Sequence, residues 1–441
     1  MKTIVFLALL LSMKICEATD AGEANIKDEG KLLNEMVNDK LKEEGIDCPL
    51  SFRGTLNFST LFVSQDVKNN NDSCLFALEG DIFLKNLNEC DQYNLGFEIG
   101  VKASSGIMKQ GSPIVRTAYV FAESPKIGIL KVGFTPTMAD SMTINGGSVL
   151  VGYGGAASQN LSLFYNESAG SFVDQCFPFD DGKAAKIAYL SSSLAGFTLG
   201  VSFTPDSRSA NPFKTMHPKP RNPEISEEKA NFPGMRTAYS KNIVTGGVAY
   251  EFGDSEAFNG KIALCGWAGK GKTSVTGMEV DKIRAYNVGA VLGYKSLKLA
   301  LGYSDNCKSL RSKRYATADI SNFDEDRDYH FTDSEVGLKP GADAGKTYSA
   351  GVSYAINDRL TASAGYFRSE VKFSSNEKST ADVFSLAVEY VLHRSASLYA
   401  EYDKIKSNSC ARAQAYGKAC GISSTGKNQG NMFIIGAKIN I

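Results

Sequence analysis

Between Thr347 and Tyr402 apolar and polar positions alternate one by one. In TYSAGVSYAI, Tyr348, Ala350, Val352, Tyr354 and Ile356 share one face, with Thr347, Ser349, Gly351, Ser353 and Ala355 on the other. A period of two is the signature of a β-strand. RLTASAGYF repeats it after Asn357 and Asp358, then VFSLAVEYVL follows a polar stretch, and SLYAEYDK comes after a tight turn. The same period predicts strands near 51–64, 74–85, 91–104, 113–123, 126–135, 183–192, 196–204, 241–252, 258–268, 282–294, 296–304, 346–356, 359–372, 380–391, 395–406 and 431–441. Connections after the even-numbered runs are short, such as Ser124–Pro125 and Lys295. Most of those after the odd-numbered runs are long, the main ones being 136–182, 205–240, 305–345 and 407–430.

An even number of strands of about ten residues, with tight turns at one end and long loops at the other, predicts an all-β fold. The fold expected is a 16-stranded antiparallel transmembrane β-barrel with long outer loops and short periplasmic turns. A secreted β-sandwich also alternates. The less apolar face here, however, is Gly, Ser, Thr and Ala with scattered charges, which suits a wet lumen. The apolar face carries aromatics near strand ends (Tyr119, Phe121, Phe134, Tyr250, Phe252, Tyr294, Tyr354 and Tyr390), where interfacial girdles belong. In lipid every backbone group must pair, so NMFIIGAKINI is expected to close against SFRGTLNFSTLFVS.

Two segments precede the barrel expected over 51–441. Residues 1–18 read as a secretory signal, with Lys2 ahead of an apolar core from Ile4 to Leu11 and small residues before a cut after Ala18. Cys16 could instead carry a lipid, but Met13, Lys14 and Ile15 are a poor context for it. Residues 19–50 are charged, and Leu33, Val37 and Leu41 fall on one helical stripe. They read as a periplasmic helical segment, either a solvated leader or a short coiled-coil seam between subunits.

Composition narrows the function. The 441 residues balance 48 Lys and Arg against 48 Asp and Glu, so there is no electrostatic support for a nucleic-acid partner. Loss of Lys2, Lys14 and Glu17 with the signal leaves a charge near −1 by count. The three His residues are scattered: His217 and His330 fall in charged or Pro-rich loops and His393 in a tight turn, none with a nucleophile that spacing identifies. No enzyme, cofactor or metal site is expected. GWAGKGKT, Gly266 to Thr273, fits a phosphate-loop pattern, yet SVTGMEVDK after it lacks the helical period that such a loop needs. KSLRSKR and DEDRD in the 305–345 loop read as solvated surface, with anionic headgroups as the alternative partner. Eight Cys remain after the signal; Cys48 with Cys90 and Cys410 with Cys420 are possible disulfides, and free thiols are the alternative.

The phrases YNLGFEIGVKA, KIAYLSSSLAGFTLGVSFTPDS, NIVTGGVAYEF, RAYNVGAVLGYKSLKLALGYSDN, KTYSAGVSYAINDRLTASAGYFRSE, SLYAEYDKI and FIIGAKINI, in this order, resemble the general porins of Gram-negative bacteria, most closely those of alphaproteobacteria. The resemblance covers most of 51–441. It departs at the last residue, Ile441 where the family usually has Phe, and in carrying more Cys. It implies a homotrimer in the bacterial outer membrane, among lipid and lipopolysaccharide. Each barrel would hold a water-filled pore for passive diffusion of small hydrophilic solutes and ions, narrowed by the third outer loop. That loop, 136–182, carries the acids Asp140, Glu167, Asp174, Asp180 and Asp181. The resemblance implies a basic wall facing them, and strand parity offers Arg53, Lys102, Arg116 and Lys131. Glu79, Asp81 and Glu98 on the same strands could instead neutralise that wall. A substrate-selective channel, for which inward Phe367 and Tyr399 would be a hint, and a barrel serving as surface anchor or adhesin are the alternatives.

Overall fold

The computed structural model describes residues 38, 50–66, 74–89, 93–105, 114–154, 184–207, 238–254, 257–273, 280–309, 343–372, 378–408 and 427–440. Sixteen strands account for most of them: β1 (Leu50–Gln65), β2 (Cys74–Glu89), β3 (Asn94–Ser105), β4 (Ile114–Ser124), β5 (Gly128–Phe134), β6 (Ala185–Ser191), β7 (Phe197–Asp206), β8 (Ala238–Asp254), β9 (Phe258–Thr273), β10 (Ile283–Tyr294), β11 (Leu297–Asp305), β12 (Lys346–Ala355), β13 (Leu360–Lys372), β14 (Lys378–His393), β15 (Ala396–Asn408) and β16 (Lys427–Asn440). Each pairs antiparallel with its sequence neighbours. The sheet closes where β16 meets β1, from Thr55 opposite Asn440 to Gln65 opposite Gly430. Closure leaves no strand edge, which is what a sheet needs in order to cross lipid. Among the described residues no helix is long and apolar enough to cross a membrane.

The alternation sorts side chains as the period of two demands. Phe58, Leu78, Val120, Leu130, Leu199, Val288, Leu301, Tyr354, Leu386 and Ile435 are exposed on the outside of the barrel. Ser59, Thr117, Ser202, Thr245, Asn287, Ser349, Ser363, Ser385 and Glu401 are buried on the inside. Tyr250, Tyr294, Tyr354 and Tyr390 are exposed as expected for the girdles. The inner face is more apolar than its Gly, Ser and Thr suggested. Leu61, Phe367, Val383, Tyr399, Ile405, Met432 and Ile434 form one buried cluster, and Ile243, Cys265, Trp267 and Ile283 belong to a second.

Strand β4 departs from the expectation. Tyr119 and Phe121 point into the lumen, because Tyr119 lies opposite Glu98 and donates its hydroxyl to that carboxylate at 2.9 Å. The cause is a bulge: Thr117 faces Gly100 and Val115 faces Val101, so Arg116 is an extra residue with no opposite number. One inserted residue turns everything beyond it to the other face. GWAGKGKT, already disfavoured as a phosphate loop, is the end of β9, which runs on to Thr273 where the alternation predicted a strand to 268. Its residues pair with β8 and β10, so its amides serve the sheet and cradle no phosphate.

Candidate functional site

The connection after β5 turns inward. Its described part, residues 135–154, runs along the inner wall from β6 to β15. Lys186 on β6 donates to the Thr135 carbonyl at its start. Thr137 then caps a one-turn helix, α1 (Met138–Met142), by accepting from the Asp140 amide at 3.1 Å. Helix α1 buries Met138, Ala139 and Met142 against β7, β8 and β9. A 3-10 turn at Gly146–Val149 follows and packs on β11, β12 and β13. The apolar side chains inside the barrel fall where this loop rests: Met142 and Ile144 pack in one cluster, Leu150 and Tyr153 against the other.

A loop can lie this close only if the wall beneath it is shallow. Gly200 on β7, Gly247 on β8, Gly289 on β10, Gly302 on β11, Gly351 on β12 and Gly365 on β13 form a track under it. A β-carbon on Gly351 would overlap the Gly146 carbonyl, and one on Gly289 the Ile144 carbonyl. The approach is backbone on backbone.

Such burial strands loop amides and carbonyls unless the wall supplies partners. The wall does so residue by residue. Met138 N donates to Ser202 Oγ at 3.3 Å, and Gly146 N to Ser349 Oγ at 2.9 Å. Asn287 donates to the Ile144 carbonyl at 3.3 Å, and Val151 N donates to Ser363 Oγ at 3.1 Å. At the far end the acceptors become carboxylates. Gly152 N meets Glu389 Oε2 at 3.1 Å, while Tyr153 N at 2.7 Å and Gly154 N at 3.1 Å converge on Glu401 Oε2. Gly152 and Gly154 both have positive φ, which turns these successive amides toward the acid as a small nest. Glu389 is held in turn by Ser397 at 2.8 Å and Lys438 at 3.4 Å. Asp403, fully buried two residues beyond Glu401, lies opposite the buried Ser385 of β14.

The facing wall, β1 to β5, is charged. Arg53 Nη2 meets Glu98 Oε2 at 2.8 Å, and its side chain stays 63% exposed. Lys102 Nζ lies 3.8 Å from Glu79 Oε2. Aromatic rings run beneath the cations: Arg53 over Phe83 at 5.0 Å, Lys85 over Phe121 at 4.9 Å and Lys131 over Tyr119 at 5.0 Å. Lys438 over Tyr399 at 5.2 Å continues the series onto β16. A ring face attracts a cation by roughly 0.5–1 kcal/mol at such open sites, so it fixes the side chain without cancelling its charge.

Of the expected basic positions, Arg53, Lys102 and Lys131 share this wall. Arg116 occupies the β4 bulge, and its side chain lies outside the described residues. Of the expected loop acids Asp140 sits on α1, across the lumen from β1; Glu167, Asp174, Asp180 and Asp181 lie outside the described residues. So do Cys48, Cys90, Cys410 and Cys420, while Cys74, Cys265 and Cys307 are free. Glu389, Glu401, Lys85 and the glycine track were missed. The track had a legible signal, inward glycines on every strand from β7 to β13, of which those on six lie under the loop; the carboxylates had none, because their partners are backbone amides far off in sequence.

Comparison with known proteins follows this geometry. A family model described as Gram-negative porin matches residues 52–409. An uncharacterized protein of Rickettsia bellii is 23% identical over 331 residues, 64% of this chain and 68% of that protein. The fold aligns with an anion-selective porin from Comamonas acidovorans at a TM-score of 0.51 and 14% identity, over 89% of this chain and 100% of the other. It also aligns with OmpT of Vibrio cholerae, in vitro folded and in its trimer form, at a TM-score of 0.50 and 14% identity, over 89% and 99%.

Proposed function

Because the chain belongs to the Gram-negative porin family and is an outer-membrane β-barrel, we propose that it is a passive, water-filled diffusion channel for small hydrophilic solutes and ions, and that it works as a homotrimer. The observation that carries this reading is the loop of residues 135–154, folded flat on β7–β15 opposite a charged wall. Narrowing a wide barrel while keeping one side charged sets a size limit and an ion preference with no chemical step. The proposed lining on the open side is Arg53, Lys85, Lys102 and Lys131, with Lys438 at its edge. Two of its cations are tied to acids: Arg53 by Glu98 and Lys102 by Glu79. Lys85 and Lys131 rest on rings instead, so their charge is the more available to a passing ion.

The test is conductance of the folded, detergent-extracted protein in a planar lipid bilayer under a salt gradient. Large ohmic steps that close in groups of three at high voltage are expected, and the reversal potential reports which charges dominate. Folded protein that passes no current overturns the reading. The cation-over-ring series supports a second reading, a channel with a binding step for solutes carrying both an anion and a ring. It predicts that benzoate, unlike acetate, blocks the current with saturation.

A further inference from the structure

Four inward cations gather near the short-turn rim of the barrel. Arg53 lies three residues from the start of β1, Lys131 three from the start of β5, Lys85 four from the end of β2 and Lys438 two from the end of β16. Three of them flank the place where β1 begins. Arg53 is on β1 itself, Lys85 lies opposite Ser51, and Lys438 lies opposite Asn57. Arg53 and Lys438 each hold one acid, Glu98 and Glu389, whereas Lys85 and Lys131 rest on rings with no ion-pair partner among the described residues. The chain that leads into β1 has the opposite charge. Residues 20–49 carry nine acids against four Lys and no Arg, a net charge of −5. One residue of that stretch marks where it meets the barrel. Asn38 accepts from the Leu50 amide at 2.8 Å and donates to the Leu50 carbonyl at 3.1 Å, so one side-chain amide serves the first residue of β1 as a neighbouring strand would. Glu35 and Asp39 are three residues and one residue from Asn38. Even a fully extended chain keeps them within about 11 Å of it. Arg53, three residues along β1 from Leu50, is about 10 Å from that same point.

We propose that this cationic rim is a docking surface for the chain's own acidic segment, residues 20–49. Glu35, Asp39, Glu43 and Glu44 meet Lys85, Lys131 and Lys438, and the segment covers part of the short-turn mouth of the lumen. The Asn38 contact with Leu50 is its anchor. Attachment at Leu50 gives the segment an effective concentration of roughly millimolar at the rim, which a free acidic partner does not reach. Complementary charge then selects where it settles. Salt should loosen the contact, because the screening length falls from about 10 Å at 0.1 M to about 3 Å at 1 M. The consequence for transport rests on the channel reading: acids laid over these cations weaken the preference of the mouth for anions.

The test uses the whole folded protein in detergent, treated with a water-soluble carbodiimide that joins a carboxylate to an amine only where the two touch. Peptide mass spectrometry should find acids of 35–44 joined to Lys85, Lys131 or Lys438 at 0.1 M salt, with a yield lower by about fivefold at 1 M. Lys404, on the outer face of β15 opposite Phe384, should not be joined to them. In planar bilayers at low salt, the variant Glu35→Gln, Asp39→Asn, Glu43→Gln, Glu44→Gln should move the reversal potential toward anions. The control Lys404→Gln should leave it at the wild-type value. Heat-modifiable mobility shows in each case that the barrel is folded. Absence of the cross-links in folded wild type, or an equal yield to Lys404, overturns the proposal. So do cross-links that join only labelled to unlabelled chains in mixed oligomers, which would make the segment a seam between copies. Cross-links with an unchanged reversal potential in the variant overturn the covering of the mouth. If folded protein passes no current, the channel reading fails, while the cross-links still decide the docking.

Discussion

A β-carbon at Gly351 would run into the Gly146 carbonyl, whereas one at Gly266 would find its nearest neighbour at 3.8 Å. Gly351→Val should therefore push the loop off the wall at a cost of about 2 kcal/mol. It should alter single-channel conductance while the barrel still forms, because Val suits a strand better than Gly. Gly266→Ala should leave conductance within error of wild type. Glu401 makes a second residue-scale case. Glu401→Leu leaves the Tyr153 and Gly154 amides buried without an acceptor, at about 1–3 kcal/mol each, and should make the current noisier as the loop end lifts. Glu401→Gln keeps a side-chain oxygen and should lie nearer wild type. Conductance traces from the four variants check this scale. The glycines were visible in the sequence, but nothing in SLYAEYDKI told whether Glu401 faces water or a loop some 250 positions away in the chain.

At the scale of elements, each strand exists because its neighbours complete it. Removing 431–440 would strip most of β16 and expose the ladders of β1 and β15 to lipid. No folded, heat-modifiable barrel should be recovered, as read by electrophoretic mobility with and without boiling. All sixteen strands were legible, because alternation is written in local sequence and survives from one strand to the next. Strand β4 was legible in place but not in orientation. Val115 seeds one face, Tyr119 takes the other, and the bulge between them leaves no mark that single-residue alternation can read. Helix α1 was not foreseen: five residues are too few for a helical period, and it stands on the Thr137 cap and the glycine-lined seat beneath it.

For the whole molecule, the proposed pore is the gap between two unlike walls, one padded by the loop and one lined with charges. Converting Lys85 and Lys131 to Glu should move the reversal potential toward cations at unchanged fold, since neither contributes to an ion pair among the described residues. Leaving both in place and changing Lys404 should not. The resemblance to porins implied the channel character; the period of two, the short and long connections and the uninterrupted final strand determined the closed barrel and its expected site in an outer membrane. Those are consequences of backbone pairing in lipid, which local pattern alone enforces. Tertiary structure decided where the loop of residues 135–154 comes to rest, which carboxylates receive its amides, and which cations keep a free charge. Those depend on contacts between residues far apart in the chain, and a periodic sequence repeats too regularly to say which of its many inward positions will meet.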